Sequence, residues 1–170
     1  MRLFARVGAR GLLVVLSAVG LGAQVGQKAV IELSLAKQLV AVAEREIAAN
    51  KWTMFVVIVD DSGLPIFTER VGDAQPGSFD IAVKKARTAA LFRRPTKVFE
   101  DLFKTGTTIH ATTDSIIAIE GGVPLALDGK VIGAIGVSGG SPVQDGQVAM
   151  AVASALAGLV GKKQRSIPWS

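Results

Sequence analysis

The 170-residue chain has no cysteine and no tyrosine, one histidine, and an aromatic content of only 5%. Without cysteine there can be no disulfide, no thiolate nucleophile, no Cys-ligated zinc and no iron–sulfur cluster. With His110 as the single imidazole, a multi-histidine metal site within one chain is excluded. Nucleotide-cradling motifs are missing as well: no GxGxxG follows a first strand, and no GxxxxGK[ST] occurs. No Ser/His/Asp arrangement or carboxylate pair marks a catalytic centre.

Acidic residues are also absent from the first 23 positions, where Arg2, Arg6 and Arg10 precede an apolar run from Gly11 to Leu21. That run is too short for a helix spanning a bilayer, which needs about 20 apolar residues. A basic start, a short apolar stretch and small residues at Gly20 and Gly22 form the pattern of a secretory signal peptide over residues 1–23, with retention as a membrane tether the alternative. The formal charge of +5 shrinks accordingly. Of 19 Lys and Arg, three lie in this leader, leaving 16 bases against 14 acids. A mature chain so nearly neutral is not expected to bind nucleic acid, nor to keep a membrane span once the leader is removed. A periplasmic or secreted location follows if the leader is cleaved.

The apolar content of 49% suits one folded domain, expected over residues 29–162, with 163–170 as a tail. Helical spacing of Leu35, Leu39, Val42 and Ile47 predicts a helix over 30–50 that stops at Asn50. MFVVIVD (54–60) reads as a strand covered on both faces, and the turn Asp60-Asp61-Ser62-Gly63 joins it to LPIFTER as a hairpin. Ser78 is expected to cap a helix running to Pro95, and TKVFEDLFK (96–104) to add a short one. IIAI (116–119), GGVPLAL, the turn Asp128-Gly129 and KVIGAIGVSGG predict a second hairpin. Ser141-Pro142 opens a closing helix through Val160. Two hairpins with flanking helices imply an α+β fold with one central antiparallel sheet.

Within that frame, VVIVDDSG, ERVGDAQPGSFDIAVKKARTAALFRRPT and GGVPLALDGKVIGAIGVSGG, followed by Gln144-Asp145, resemble the GlcG/HbpS heme-binding family, in the same order and across roughly residues 30 to 160. The resemblance implies a profilin-like α+β domain, homo-oligomers, ligand sites near subunit boundaries, and binding of heme or another tetrapyrrole. Some relatives degrade heme, some are fused to corrinoid adenosyltransferases, and one looks like a lyase acting on a small aromatic substrate. Two features of this chain depart from the pattern. Some relatives ligate heme iron through a histidine on the first helix, but 30–50 contains none; others use a threonine, which several positions here could supply. The motif that often reads QDE is Gln144-Asp145-Gly146 here, which puts a role for that acid in doubt.

The segment KKARTAALFRR (84–94) carries the candidate residues of most interest. On a helix, Lys85, Thr88, Ala89 and Phe92 fall near one face beside Ala82 and Ala86, with Lys84 and Arg87 further round. Lys85 borders the apolar stripe, so its ammonium needs a partner, whether Asp60, Asp73 or a ligand carboxylate such as a heme propionate. Lys85, Thr88 and Phe92 are therefore candidate contacts for a flat anionic ligand. His110 is the candidate iron ligand as the single imidazole, on a loop where Thr107, Thr108, Thr112 and Thr113 are alternative, weaker oxygen donors. Gly121 and Gly122 flank the second hairpin, while Ser138 and Gly139 precede a helix N-terminus whose amides could take an anionic group. The simpler reading of the glycines is turn geometry, and that of Asp60, Arg70 and Asp73 is salt bridging at hairpin ends. An exported heme-binding protein is the leading expectation, with a small-molecule enzyme and a protein-interaction module as alternatives.

Overall fold

A computed structural model describes residues 28–108 and 113–164. Helix α1 (Leu33–Asn50) leads into strands β1 (Met54–Asp60) and β2 (Pro65–Val71). Helices α2 (Ser78–Phe92) and α3 (Thr96–Lys104) follow, then β3 (Gly122–Leu127), β4 (Lys130–Ser138) and helix α4 (Pro142–Gln164). The four strands form one antiparallel sheet in the order β2-β1-β4-β3.

Strand alternation divides the interior in two. Met54, Val56 and Ile58 of β1 pack on α1 and α4, with Leu39, Ile47, Val148, Val152 and Leu156 in the same core. Val57 and Val59 point the other way, onto Ala82, Ala86, Ala89 and Ala90 of α2. The strand is buried on both faces, as its continuous β-branched sequence implies. The alanine stripe lets α2 lie close on the sheet. Over Pro142–Gly161 the closing helix is long and apolar enough to cross a membrane, with mean hydropathy 1.3. It packs here as a core helix, burying Val148, Ala149, Val152 and Leu156.

Local signals set most element ends. Asn50 closes α1 and Lys51 takes the left-handed conformation (φ 58°). Asp128 (φ 50°) and Gly129 (φ 74°) both have the positive φ of a type I′ turn. Ser141 and Gln144 form a reciprocal cap: the Ser141 N–H donates to Gln144 Oε1 (2.8 Å) and the Gln144 N–H to Ser141 Oγ (3.3 Å).

Some expectations need correction. The first helix begins at Leu33 rather than Val30. Gly77, not Ser78, is the N-cap of α2; Ser78 is its first residue, buried, with an Oγ that finds no partner. Residues 116–119 form no strand, because their backbone is engaged by α2: Thr88 Oγ1 donates to the Ser115 carbonyl (3.2 Å) and accepts from the Ile117 N–H (3.0 Å). The closing helix extends to Gln164, past Val160. The leader (1–23) and residues 165–170 of the expected tail lie outside the described residues.

The exposed edge of β3 is guarded. Thr96 Oγ1 accepts from the Gly122 N–H (2.9 Å) and donates back to the Gly122 carbonyl (3.5 Å). Two residues on, Pro124 has no N–H to offer a further strand.

Candidate functional site

Lys85 is among the largest fully buried side chains described, with 1% exposure. It reaches across the sheet from α2 to the first turn of α4, donating from Nζ to Asp145 Oδ2 (2.6 Å) and to the Val137 carbonyl (3.0 Å). The carboxylate is fixed on its other side, where Oδ1 accepts from the Gly140 N–H (3.0 Å). Of the partners the sequence offers Lys85, namely Asp60, Asp73 or a ligand carboxylate, the two aspartates are engaged elsewhere. Asp60 Oδ1 accepts from the Ser62 and Leu64 amides in the hairpin turn, and Asp73 pairs with Arg70 at 2.8 Å.

The glycines around this pair have a specific task. A Cβ at Gly121, whose φ of 126° already favours glycine, would lie 2.7 Å from Asp145 Cβ and 2.8 Å from Lys85 Nζ. Gly122 presses against the Lys85 carbonyl in the same way. Gly121 also accepts from the Val137 N–H (2.9 Å), tying the strand entry to the backbone that receives Lys85. Gly139 (φ 148°) packs on the Thr53 carbonyl, and Ser138 is 5% exposed. The amides of Gly140, Ser141 and Gln144 are already committed to Asp145, Gln144 and Ser141, so the helix N-terminus is capped from within.

Burial dominates the electrostatics of the pair. Desolvation holds the Lys85 ammonium below its ordinary pKa although Asp145 pulls it up. Desolvation likewise raises the Asp145 carboxyl above the usual carboxylate range, against the pull of Lys85 and the Gly140 amide. These shifts have opposite signs in stability. As pH rises from the ordinary carboxylate range through the raised Asp145 pKa, the folded state holds more protons than the unfolded and stability falls. As pH rises through the lowered Lys85 pKa towards 10.5, the unfolded state holds more and stability recovers. Urea midpoints across pH should trace this shallow trough in the parent protein, and the double variant Lys85→Met/Asp145→Leu should lose both slopes.

Above the pair, between α3, the start of β3 and α4, runs a groove of 380 Å³. Pro95, Val98, Val123 and Met150 supply its apolar wall, Gly121 and Gly122 border it, and the Glu120 side chain lies over Gly146. Lys97, paired with Asp101 at 2.7 Å, and Glu120 stand at its rim. A second groove, of 730 Å³, lies at the β3–β4 turn, with Leu127, Val131 and Ile132 facing Lys28, Arg93 and Lys130.

The structure brings together Lys85, Gly121, Gly122, Ser138 and Gly139 but not every candidate. Thr88 is buried and holds the 115–117 backbone. Phe92, on the apolar face by helical spacing, is nevertheless 37% exposed at the end of α2; it meets Phe99 of α3 edge-to-face at 5.6 Å, and Phe99 is the buried ring. His110 lies outside the described residues. Asp145 was the residue sequence reasoning undervalued. A lysine bordering an alanine stripe demanded an acid, and Asp145 was available one turn into the closing helix.

Comparison with known proteins matches residues 31–154 to the family described as "Haem degrading protein HbpS-like". Protein GlcG of Escherichia coli K12 is 39% identical over 111 residues, covering 65% of this chain and 83% of GlcG. Among solved structures, Klebsiella pneumoniae protein ORFY superposes with a TM-score of 0.74 at 27% identity, over 81% of this chain and 98% of ORFY. The PduOC:heme complex gives 0.69 at 29% identity, over 75% and 95%. With its four-stranded antiparallel sheet, its glycine-wrapped lysine and a family match over most of its length, this chain belongs to the HbpS-like family.

Proposed function

We propose that this protein binds heme, or a closely related tetrapyrrole, outside the cytoplasm, as an exported and oligomeric protein that stores, senses or passes the ligand on. The observation that carries this reading is its likeness to a relative crystallised as a heme complex, along 95% of that chain. Of the two grooves along the edge strand, the one at the β3–β4 turn suits such a ligand better: Lys28, Arg93 and Lys130, with Asp128 the one acid among them, can take propionates beside Leu127, Val131 and Ile132. Titration of the purified protein with hemin should give a saturable Soret shift at micromolar protein, and a featureless titration overturns the reading. His110→Ala tests the imidazole directly: loss of the shifted band assigns it to the iron, and an unchanged band removes it.

A second reading, an enzyme acting on a small molecule, is favoured by the perturbed Lys85–Asp145 pair lying directly beneath a groove. Its test is a substrate screen. Turnover that disappears in Lys85→Met/Asp145→Leu while the circular dichroism is retained supports chemistry by the pair, and turnover that survives excludes it.

A further inference from the structure

We propose that α4 is a self-docking surface: two copies of this chain meet through its outer face, with the two helices antiparallel about a two-fold axis. The helix is unlike its neighbours. Among exposed residues, α1 shows Lys37, Glu44 and Arg45 to solvent, α2 shows Asp80, Lys84 and Arg87, and α3 shows Lys97, Asp101 and Lys104. From Val143 to Gly161 the sole charged residue of α4 is Asp145, which is buried against Lys85. About five turns of solvent-facing helix therefore carry no charge, where the solvated side of a helix ordinarily gathers charged and polar groups.

The exposed positions are also spaced for a partner helix. Val143, Gln147, Met150, Ser154, Ala157 and Gly161 follow one another at alternating intervals of four and three, and all are exposed, Val143 by 68% and Met150 by 51%. That alternation is the a/d spacing of a two-helix seam. Of the exposed residues from Val143 to Gly161, Gly158 alone falls outside it. Laid antiparallel on itself, the seam sets Val143 of one copy against Gly161 of the other, Gln147 against Ala157 and Met150 against Ser154, so each larger side chain meets a small one. Such a contact is isologous, every pair occurring twice, and no charge on the seam loses its water on either side. Gln147 is already steadied at the flank, donating to Glu46 of α1 (2.7 Å). A bilayer is the rival occupant, and the composition disfavours it. Ser154, Ala157 and Gly161 gain little on transfer to lipid but let a second helix approach closely. Helices that lie in a membrane surface carry Lys and Arg on their other face, whereas the other face of α4 is Val148, Val152 and Leu156 in the core. Self-docking rests on the oligomeric part of the reading above and does not depend on heme.

Sedimentation equilibrium of the purified protein and of variants at exposed positions is the test. The parent should form a dimer, or a multiple of one, at micromolar concentration. Met150→Glu should weaken self-association about tenfold or more with its circular dichroism unchanged, while Leu91→Glu, on the outer side of α2, should associate like the parent. Met150→Glu/Ser154→Lys should recover most of the loss, because the antiparallel register sets the new carboxylate of one copy against the new ammonium of the other. An oligomer that Met150→Glu leaves intact overturns the α4 surface while sparing the oligomeric reading, and a double variant no better than Met150→Glu overturns the antiparallel register. A parent that stays monomeric overturns both the docking and the oligomeric reading. If that monomer floats with vesicles of phosphatidylcholine and phosphatidylglycerol, the face belongs to a bilayer instead.

Discussion

Lys85→Ala is expected to destabilise the protein by about 3–5 kcal/mol, the usual consequence of removing one partner from a buried ion pair. The cost arises mainly from what remains. Asp145 is 2% exposed and would keep a single donor, the Gly140 N–H, in a site from which water is excluded. The Val137 carbonyl would lose its side-chain donor as well. Against a total stability of about 5–15 kcal/mol, such a loss removes from about a fifth to nearly all of the folding free energy. Lys85→Met/Asp145→Leu should behave very differently, close to neutral or more stable than the parent, because it deletes both charges and fills the space with apolar groups. Urea unfolding of the parent and the two variants decides the matter. A single variant within about 0.5 kcal/mol of the parent would mean that the interior is wetter than its geometry implies.

The second large effect is expected at Gly136. On β4 its hydrogen faces α2, where a Cβ would fall on the Ala82 carbonyl and 2.9 Å from Ala86 Cβ. Ala82 and Ala86 are fully buried and belong to the helix that rests on this strand. Neither a carbonyl oxygen nor the methyl of a fixed backbone can swing aside, so the helix itself must lift. Gly136→Ala should therefore cost about 3 kcal/mol, the upper end of overpacking, and Gly136→Val should prevent the native helix–sheet contact altogether. Gly158→Ala supplies the contrast. That glycine lies exposed on α4 with nothing near its missing Cβ, and the change should stabilise by up to about 1 kcal/mol through helix propensity. Thermal unfolding of the two alanine variants should move in opposite directions; a shift of the same sign would refute the steric argument.

Much of this could be read in advance, and particular residues explain the boundary. MFVVIVD is legible as a strand because each face of a two-sided core wants β-branched residues, and Ala82, Ala86 and Ala89 are legible as the close-packing face of α2. The partner of Lys85 was not legible, because Asp145 lies 60 residues away and nothing in local spacing couples the two. Phe92 was misplaced for a similar reason. Helical periodicity names the face of a residue but not where the underlying sheet ends, and there Phe99 takes the buried position. Ile116 to Ile119 has strand composition, yet Thr88 takes up the backbone groups at Ser115 and Ile117. Gly121 and Gly122 carried a turn signal, but the reason they must be glycine is the lysine behind them, visible only in three dimensions.

The guarded sheet edges have a consequence for the chain at high concentration. On β3, Thr96 occupies the outward groups of Gly122 and Pro124 withholds a donor. At the opposite margin, β2 starts on an exposed proline and carries Glu69 and Arg70. Neither side presents the uninterrupted ladder that templates fibril growth. Copies of the folded chain are thus steered away from strand-to-strand addition, leaving helical and loop surfaces for any assembly that grows to a finite size.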